Sequence, residues 1–267
     1  FTEFPENIDL YGLSFNTVVG TTGVALQGEL AYRPNHPLQF DDVEVLFAAL
    51  TPLRFFPAAV NPVVGQRFGA LAQFGQLGGF APGGTVTGWD EFETFQYQMT
   101  ATRTFANVLG ASQLVLVGEG GVFYVSDMPD KVTGGPNGEG LRFNGPGTSV
   151  SGNEPLAAFH FGEVEPLNRF ADSTSWGYRI AGRLDYSGLI GPWNMLPRFA
   201  WSHDVKGTSP GPGGNFVEGR NSLLLGLSFN YQNTWDIDFS YTMFNGAGRY
   251  NEVTDRDFIA FAVKYAF

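Results

Sequence analysis

The clearest periodicity is at the C-terminal end. From Phe258 to Phe267 the chain alternates strictly: Ile259, Phe261, Val263, Tyr265 and Phe267 fall on one side, and Phe258, Ala260, Ala262, Lys264 and Ala266 on the other. A period of two predicts a β-strand whose faces lie in different surroundings. The pattern recurs upstream. Trp235, Ile237, Phe239, Tyr241 and Met243 alternate with Asp236, Asp238, Ser240 and Thr242, and Leu223, Leu225, Leu227, Phe229 and Tyr231 with Leu224, Gly226, Ser228 and Asn230. Similar segments run through 176–186, 195–202, 95–102, 114–124, 26–33 and 13–16. These make about nine strands of roughly ten residues, longer than the usual five or six. The alternation alone fits a soluble sandwich or a membrane barrel, because a bulky face suits a protein core as well as lipid.

The connections separate the two. Tight turns are predicted at Gly20–Gly23, Asn107–Ala111, Ser187–Gly191 and Gln232–Thr234. Between them come long links of roughly 55 and 45 residues, the Gly/Pro-rich run Thr208–Gly214, and a segment from Gly246 to Asp255. Short and long alternate throughout. Bacterial outer-membrane barrels have short periplasmic turns and longer extracellular loops, whereas a sandwich has no reason to gather its long loops at one end. The expected fold is all-β: a transmembrane antiparallel up-and-down β-barrel, one domain over 1–267, with 41–91 and 127–173 as extracellular or lumen-folding loops. Trp176, Tyr186, Trp201, Tyr231, Trp235 and Tyr265, near strand ends, fit interfacial girdles, although strands favour aromatics in any setting.

Nine is an awkward count. Single-chain bacterial barrels have an even number of strands, and lipid tolerates no unpaired edge. The expectation is a C-terminal portion of a larger barrel whose N-terminal strands lie outside this sequence; a strand overlooked within 51–91 would also restore parity. The start, Phe1-Thr2-Glu3-Phe4-Pro5, has no initiator Met, basic residue or apolar stretch of a signal peptide, and reads as a mature chain or a fragment. One helix is legible. Asp41 and Glu44 have capping-box spacing, and Val43, Leu46, Phe47 and Leu50 follow at helical intervals. This suits a plug or gate in the lumen, or simple loop packing.

Composition narrows the classes. The chain carries 26 acidic and 15 basic residues, a net charge of −11, with 36 Gly, 26 Phe and no Cys. Disorder is excluded by the aromatic content, a disulfide scaffold by the absence of Cys, and nucleic acid as a partner by the charge. No apolar run reaches the length of a transmembrane helix, but a barrel strand needs only about 9–11 residues and averages to neutral hydropathy. Mean hydropathy is −0.07. The four long links hold most of the negative charge. Lipopolysaccharide bridged by divalent cations would use it, and ordinary solvated loops explain it equally.

Catalytic motifs are scarce. The three histidines, His36, His160 and His203, are far apart, and no metal site is expected. Ser202, His203 and Asp204 are neighbours on a strand, so their side chains diverge and form no triad. The run Gly134–Gly138 lacks the strand-to-helix context of a phosphate cradle. No cofactor is expected, and the chain does not read as an enzyme. The charged positions of the strands say more. Glu29, Arg33, Glu119, Arg179, Arg183, Asp185, Arg198, Asp236, Asp238 and Lys264 alternate with the bulky set. A cation at the bilayer midplane costs roughly 2–4 kcal/mol, so these residues are expected to line the lumen, as a pore wall or as a ladder of ion pairs.

Two resemblances add to this reading. Phe261, Val263, Tyr265 and Phe267 form an ending similar to the signal recognised by the barrel assembly machinery. In addition, Ile8–Asn16, Asp41–Leu50, Ser209–Phe216 and Gly246–Asn251 resemble family 1302 of the domains of unknown function, over essentially the whole chain. That resemblance implies a Gram-negative outer-membrane protein roughly double this length. It also implies an association with RND-type exporters and LolB-like periplasmic proteins, and hence the handling of hydrophobic compounds or lipids. No catalytic residues carry over. The expected function is a passage for small, hydrophobic molecules or lipids in the outer membrane. The alternatives are a non-conducting scaffold of an envelope complex and a lipid-modifying enzyme.

Overall fold

A computed structural model describes residues 3–55, 62–132, 140–146, 150, 152 and 163–266. The described strands form one antiparallel sheet in the order β1 to β9, each hydrogen-bonded to its sequence neighbours. They are β1 Tyr11–Val18, β2 Val24–Gln39, β3 Trp89–Val108, β4 Ala111–Val125, β5 Thr174–Ile190, β6 Trp193–Lys206, β7 Asn221–Tyr231, β8 Trp235–Asn245 and β9 Phe258–Tyr265. The sheet is open: β1 pairs only with β2, and β9 only with β8. Strand count and order match the alternation, but lengths run from 8 to 20 residues. β3 gains length at both ends, β4 and β5 mainly at the short-turn end, and β2 mainly at the long-loop end, where it continues past an irregularity between Arg33 and His36 to pair Leu38 with Asp90.

The tight turns all lie at one end. Leu109 and Gly110 join β3 to β4 with φ of 53° and 80°, the positive pair that matches a two-residue hairpin to strand twist. Between β5 and β6 only Gly191 and Pro192 separate the strands, a tighter connection than the predicted Ser187–Gly191 turn.

At the opposite end the long links fold back over the sheet. α1, Asp42–Leu50, has the predicted start: the Asp41 carboxylate accepts the Glu44 N–H at 3.2 Å. The second half of the capping box is replaced by a tertiary contact. Glu44 is buried and receives the Arg142 guanidinium at 3.2 Å and the Gln76 N–H at 3.1 Å. Gln76 also donates through Nε2 to the Arg142 carbonyl, 2.9 Å away. The region 51–91 holds a 3₁₀ turn (Thr51–Phe55) and α2 (Pro62–Phe74), and no strand before Trp89 among its described residues. The described strands therefore remain nine.

Two cores follow. Val43 and Phe47 of α1 pack with Leu71 of α2, and Leu50 joins them. Leu46 does not; it is 55% exposed, so the predicted four-residue apolar face is three residues wide. The second core sits on the sheet itself, where Leu38, Phe123 and Val125 meet Phe40, Phe143 and Ala171 of the links. No helix among the described residues is long and apolar enough to cross a membrane.

Candidate functional site

Directly paired residues of neighbouring strands share a face, so the register sorts every side chain. Glu119 lies opposite Arg179, Arg183 opposite Arg198, and Asp236 opposite Lys264. Continued through the pairings of Glu29 with Gln98 and Arg33 with Thr94, the register puts all ten charged candidates on one polar face. Three groups form across strands. Arg179 reaches Glu119 at 3.5 Å, and Thr100 approaches the same carboxylate at 3.4 Å. Arg183 grips Asp185 at 2.8 Å while Gln113 donates to that carboxylate at 2.5 Å. Arg198 forks onto Asp238 at 2.6 and 3.0 Å, with Ser228 bound to both. Glu29, Arg33, Asp236 and Lys264 have no ion pair within 4 Å among the described residues.

The other face is predominantly apolar across all nine strands, with charges towards its borders: Arg103 near the short-turn end, opposite Val24 and Leu116, and Glu93 beside Tyr32 at the long-loop end. Leu225, Phe239 and Phe261, which a sandwich would bury between two sheets, are 49, 48 and 68% exposed. Among the described residues there is no second sheet to cover them. Aromatic rings line both ends of this face. At the long-loop end Tyr11, Tyr32, Phe95 and Tyr124 form a row over four consecutive strands, with centroids 6.2, 4.8 and 6.3 Å apart. At the short-turn end Trp193 meets Tyr231 at 5.0 Å, and Trp235 meets Tyr265 at 4.7 Å. The sequence pointed to Trp176, Tyr186, Trp201, Tyr231, Trp235 and Tyr265 and left the first row unmarked; Trp201 lies farther in, five residues from the end of β6. The signal was Tyr32 and Phe95 at equivalent heights on paired strands. The ten positions from Trp176 to Tyr186 span about 33 Å along β5 at ~3.3 Å per residue; tilted by about 45°, that is about 23 Å in height.

The β6–β7 link supplies the remaining part. Ser209–Phe216 lies over the polar face. The Ser209 N–H donates to the Phe216 carbonyl at 2.9 Å, and the Phe216 N–H donates to the Ser209 hydroxyl at 3.1 Å. That hydroxyl lies 2.8 Å from the Ser175 hydroxyl, and the Gly211 N–H donates to the Asn144 carbonyl at 2.7 Å. The Phe216 ring rests where β4 and β5 carry Gly121 and Gly177. A Cβ built there would stand 3.3 and 3.1 Å from the ring and push it outward by a few tenths of an ångström; at Gly177 it would also lie 2.6 Å from the His203 carbonyl oxygen, so that position requires glycine. Two cavities remain between link and sheet. One, of about 220 Å³, is lined by Glu119, Arg179, Asp204 and Asn215. The other, of about 370 Å³, lies beside Arg33, His36, Leu38 and Phe123, under Pro210–Asn215.

The remaining candidates are dispersed. His203 stands on the apolar face by Tyr178 and Trp201. Asp204 points the other way, to Arg220 at 2.7 Å and the Val217 N–H at 3.0 Å, and Ser202 bonds Ser222. The three side chains therefore do not converge. Phe261, Val263 and Tyr265 share the apolar face of β9, opposite Phe239, Ile237 and Trp235. Phe267, His160 and Gly134–Gly138 lie outside the described residues. Among those described, no cluster of His, Asp or Glu has the grouping of a metal site. Outside the strands, burial holds the Asp41 carboxyl well above its usual range, helped by the charges of Asp42 and Glu44.

Fold and site together define an all-β protein: a single up-and-down antiparallel sheet with one charged, hydrogen-bonded face and one apolar face edged by aromatic rings. The chain belongs to the family described as Protein of unknown function (DUF1302), whose model matches residues 1–267. No curated protein and no solved structure matches it.

Proposed function

We propose that this chain is part of the wall of a β-barrel in a bacterial outer membrane, and that the barrel is a passage for small, predominantly hydrophobic molecules or lipids. One observation carries the reading: the two faces of the sheet differ strongly along the middle of the strands, and the apolar one is bounded at both ends by aromatic rings. A water-soluble monomer rarely exposes a contiguous apolar patch above a few hundred Å². Here such a face extends over nine strands. Hydrocarbon is the solvent that stabilises it, and aromatic girdles about 25 Å apart are the usual borders of a lipid-facing band. The polar face then encloses the lumen, the four tight turns are periplasmic, and the long acidic links are extracellular beside lipopolysaccharide.

The open edges of β1 and β9 bear on how the wall closes. A barrel in lipid has no unpaired edge, so further strands of the whole protein complete it. The β9 ending serves recognition by the assembly machinery. The Ser209–Phe216 segment narrows the lumen beside β4 and β5, with mixed apolar and polar walls suited to small organic solutes. An RND-type exporter and a LolB-like protein are the proposed envelope partners.

The ion pairs of the polar face favour a second reading, a filled, non-conducting barrel acting as a scaffold in an envelope complex. Planar bilayers distinguish the two. Purified full-length protein is expected to give stepwise conductance and to admit hydrophobic solutes into liposomes. Absence of both current and uptake would overturn the passage and leave the scaffold. Lipid turnover by the same preparation would favour an enzyme.

A further inference from the structure

Among the polar-face arginines, Arg33 is the exception. Arg179, Arg183 and Arg198 each hold a carboxylate within 3.5 Å. Arg33 has no ion pair among the described residues, and it lines the larger cavity. Lys264 also lacks an ion pair, but it sits opposite Asp236 at the short-turn end and lines neither cavity. No carboxylate lines the Arg33 cavity. The rest of its wall is mixed: Pro37, Leu38, Phe123, Pro210 and Pro212 give it an apolar side, and His36, Gln96, Ser209 and Asn215 a neutral polar one. His36 is held by Thr94, with Nδ1 3.1 Å from its hydroxyl.

We propose that this cavity binds a small organic monocarboxylate with an apolar body, Arg33 receiving the carboxylate. The inference deepens the passage reading, on which it rests for its biological use, by naming a solute class and a selectivity residue. A guanidinium offers a planar fork that matches a carboxylate bidentately. Apolar side chains with a few placed polar groups and one charge are the usual construction of a small-ligand site. At about 30 Å³ per water, 370 Å³ corresponds to about a dozen water molecules, enough for an aromatic or medium-chain acid. The ion-paired arginines have their forks occupied and would have to break a contact to bind such an anion. Arg33 would not.

The test is calorimetric titration of the full-length protein in detergent with benzoate and with benzamide, its neutral counterpart of nearly the same shape. Benzoate is expected to bind, and benzamide to bind at least about tenfold more weakly, as loss of a charge-assisted contact implies. Arg33→Gln should lower benzoate affinity about tenfold and leave benzamide unchanged, with Arg33→Lys between. Equal wild-type affinities for the two ligands, no benzoate binding, or an Arg33→Gln protein that binds benzoate normally would overturn the proposal. The wild-type comparison decides even if the variants do not fold. Benzoate binding without bilayer conductance keeps the site and removes the passage; conductance without binding does the reverse.

Discussion

Replacing Phe239 by Arg tests the membrane reading most directly. Phe239 lies mid-strand on the apolar face of β8, between Leu227 of β7 and Phe261 of β9, and is 48% exposed. Trp235, at the short-turn end of the same face, is four positions away, about 14 Å along the strand at ~3.4 Å per residue and about 10 Å in depth at a 45° tilt. In the outward-facing apolar band of a barrel, about 25 Å tall, with Trp235 at one border, Phe239 then stands within about 3 Å of the midplane. Phe239→Ala removes the packing between neighbouring strands, so it serves as the reference. The step from Ala to Arg isolates the solvent. In lipid that step costs about 2–4 kcal/mol near the midplane and about 0–1 kcal/mol near the interface; on a water-facing surface it falls within about ±0.5 kcal/mol. Folding into liposomes across a urea series, followed by tryptophan fluorescence and by heat-modifiable migration, reads both differences. Phe239→Arg should lie at least about 2 kcal/mol below Phe239→Ala, and Trp235→Arg within about 1 kcal/mol of Trp235→Ala. An Ala-to-Arg step at 239 under 0.5 kcal/mol, or one no larger than at 235, would refute the assignment of this face to hydrocarbon.

Other expectations follow from the polar face and the links. Phe216→Ala empties the seat formed by Gly121 and Gly177 and should raise single-channel conductance and speed proteolysis within 207–220, while unchanged current would separate this segment from the constriction. Arg198→Ala and Asp238→Ala should each destabilise the protein, with a coupling of about 0.5–1 kcal/mol in a double-mutant cycle, because both side chains are about 30% exposed and partly screened; zero coupling would remove the ladder as a stabilising device. Burial raises the folded-state pKa of Asp41, so the folded protein binds more protons than the unfolded chain from pH ~3.8 up to the raised value. The associated stability is therefore present in acid and lost as pH rises through that window. Hydrogen exchange of α1 should show this decline in wild type and a flatter profile in Asp41→Asn, which keeps the capping oxygen; parallel profiles would assign the pH dependence to other groups.

Strand number, order and faces were legible in the sequence because a period of two is a local property: each strand states which side chains share a face, whatever its neighbours do. The alternation of short and long connections is likewise local, and it gathers the links at one end. The start of α1 at Asp41 was readable for the same reason, since a cap needs only residues three apart. The ten charged positions could be assigned to one face by counting, but not to partners. That Arg198 forks onto Asp238 of β8 rather than meeting its direct neighbour Arg183 depends on register across three strands. Neither is the lack of an ion pair at Arg33 among the described residues visible along one strand.

Tertiary structure decided what distant segments do to one another. Glu44 has capping-box spacing, yet its carboxylate is claimed by Arg142 and Gln76, because a buried ion pair outweighs a local bond at a helix end. Leu46 keeps helical phase with Val43 and Phe47 but remains exposed, since α2 covers only part of that surface. The Gly/Pro-rich run 208–214 read only as a connection and gave no hint of a fixed position, which comes from the Phe216 ring seated on two glycines of different strands. Periodicity thus determined the two faces of this protein, and only three-dimensional packing decided what lies against the polar one, because alternation is written every second residue while a cavity is made by segments far apart in the chain.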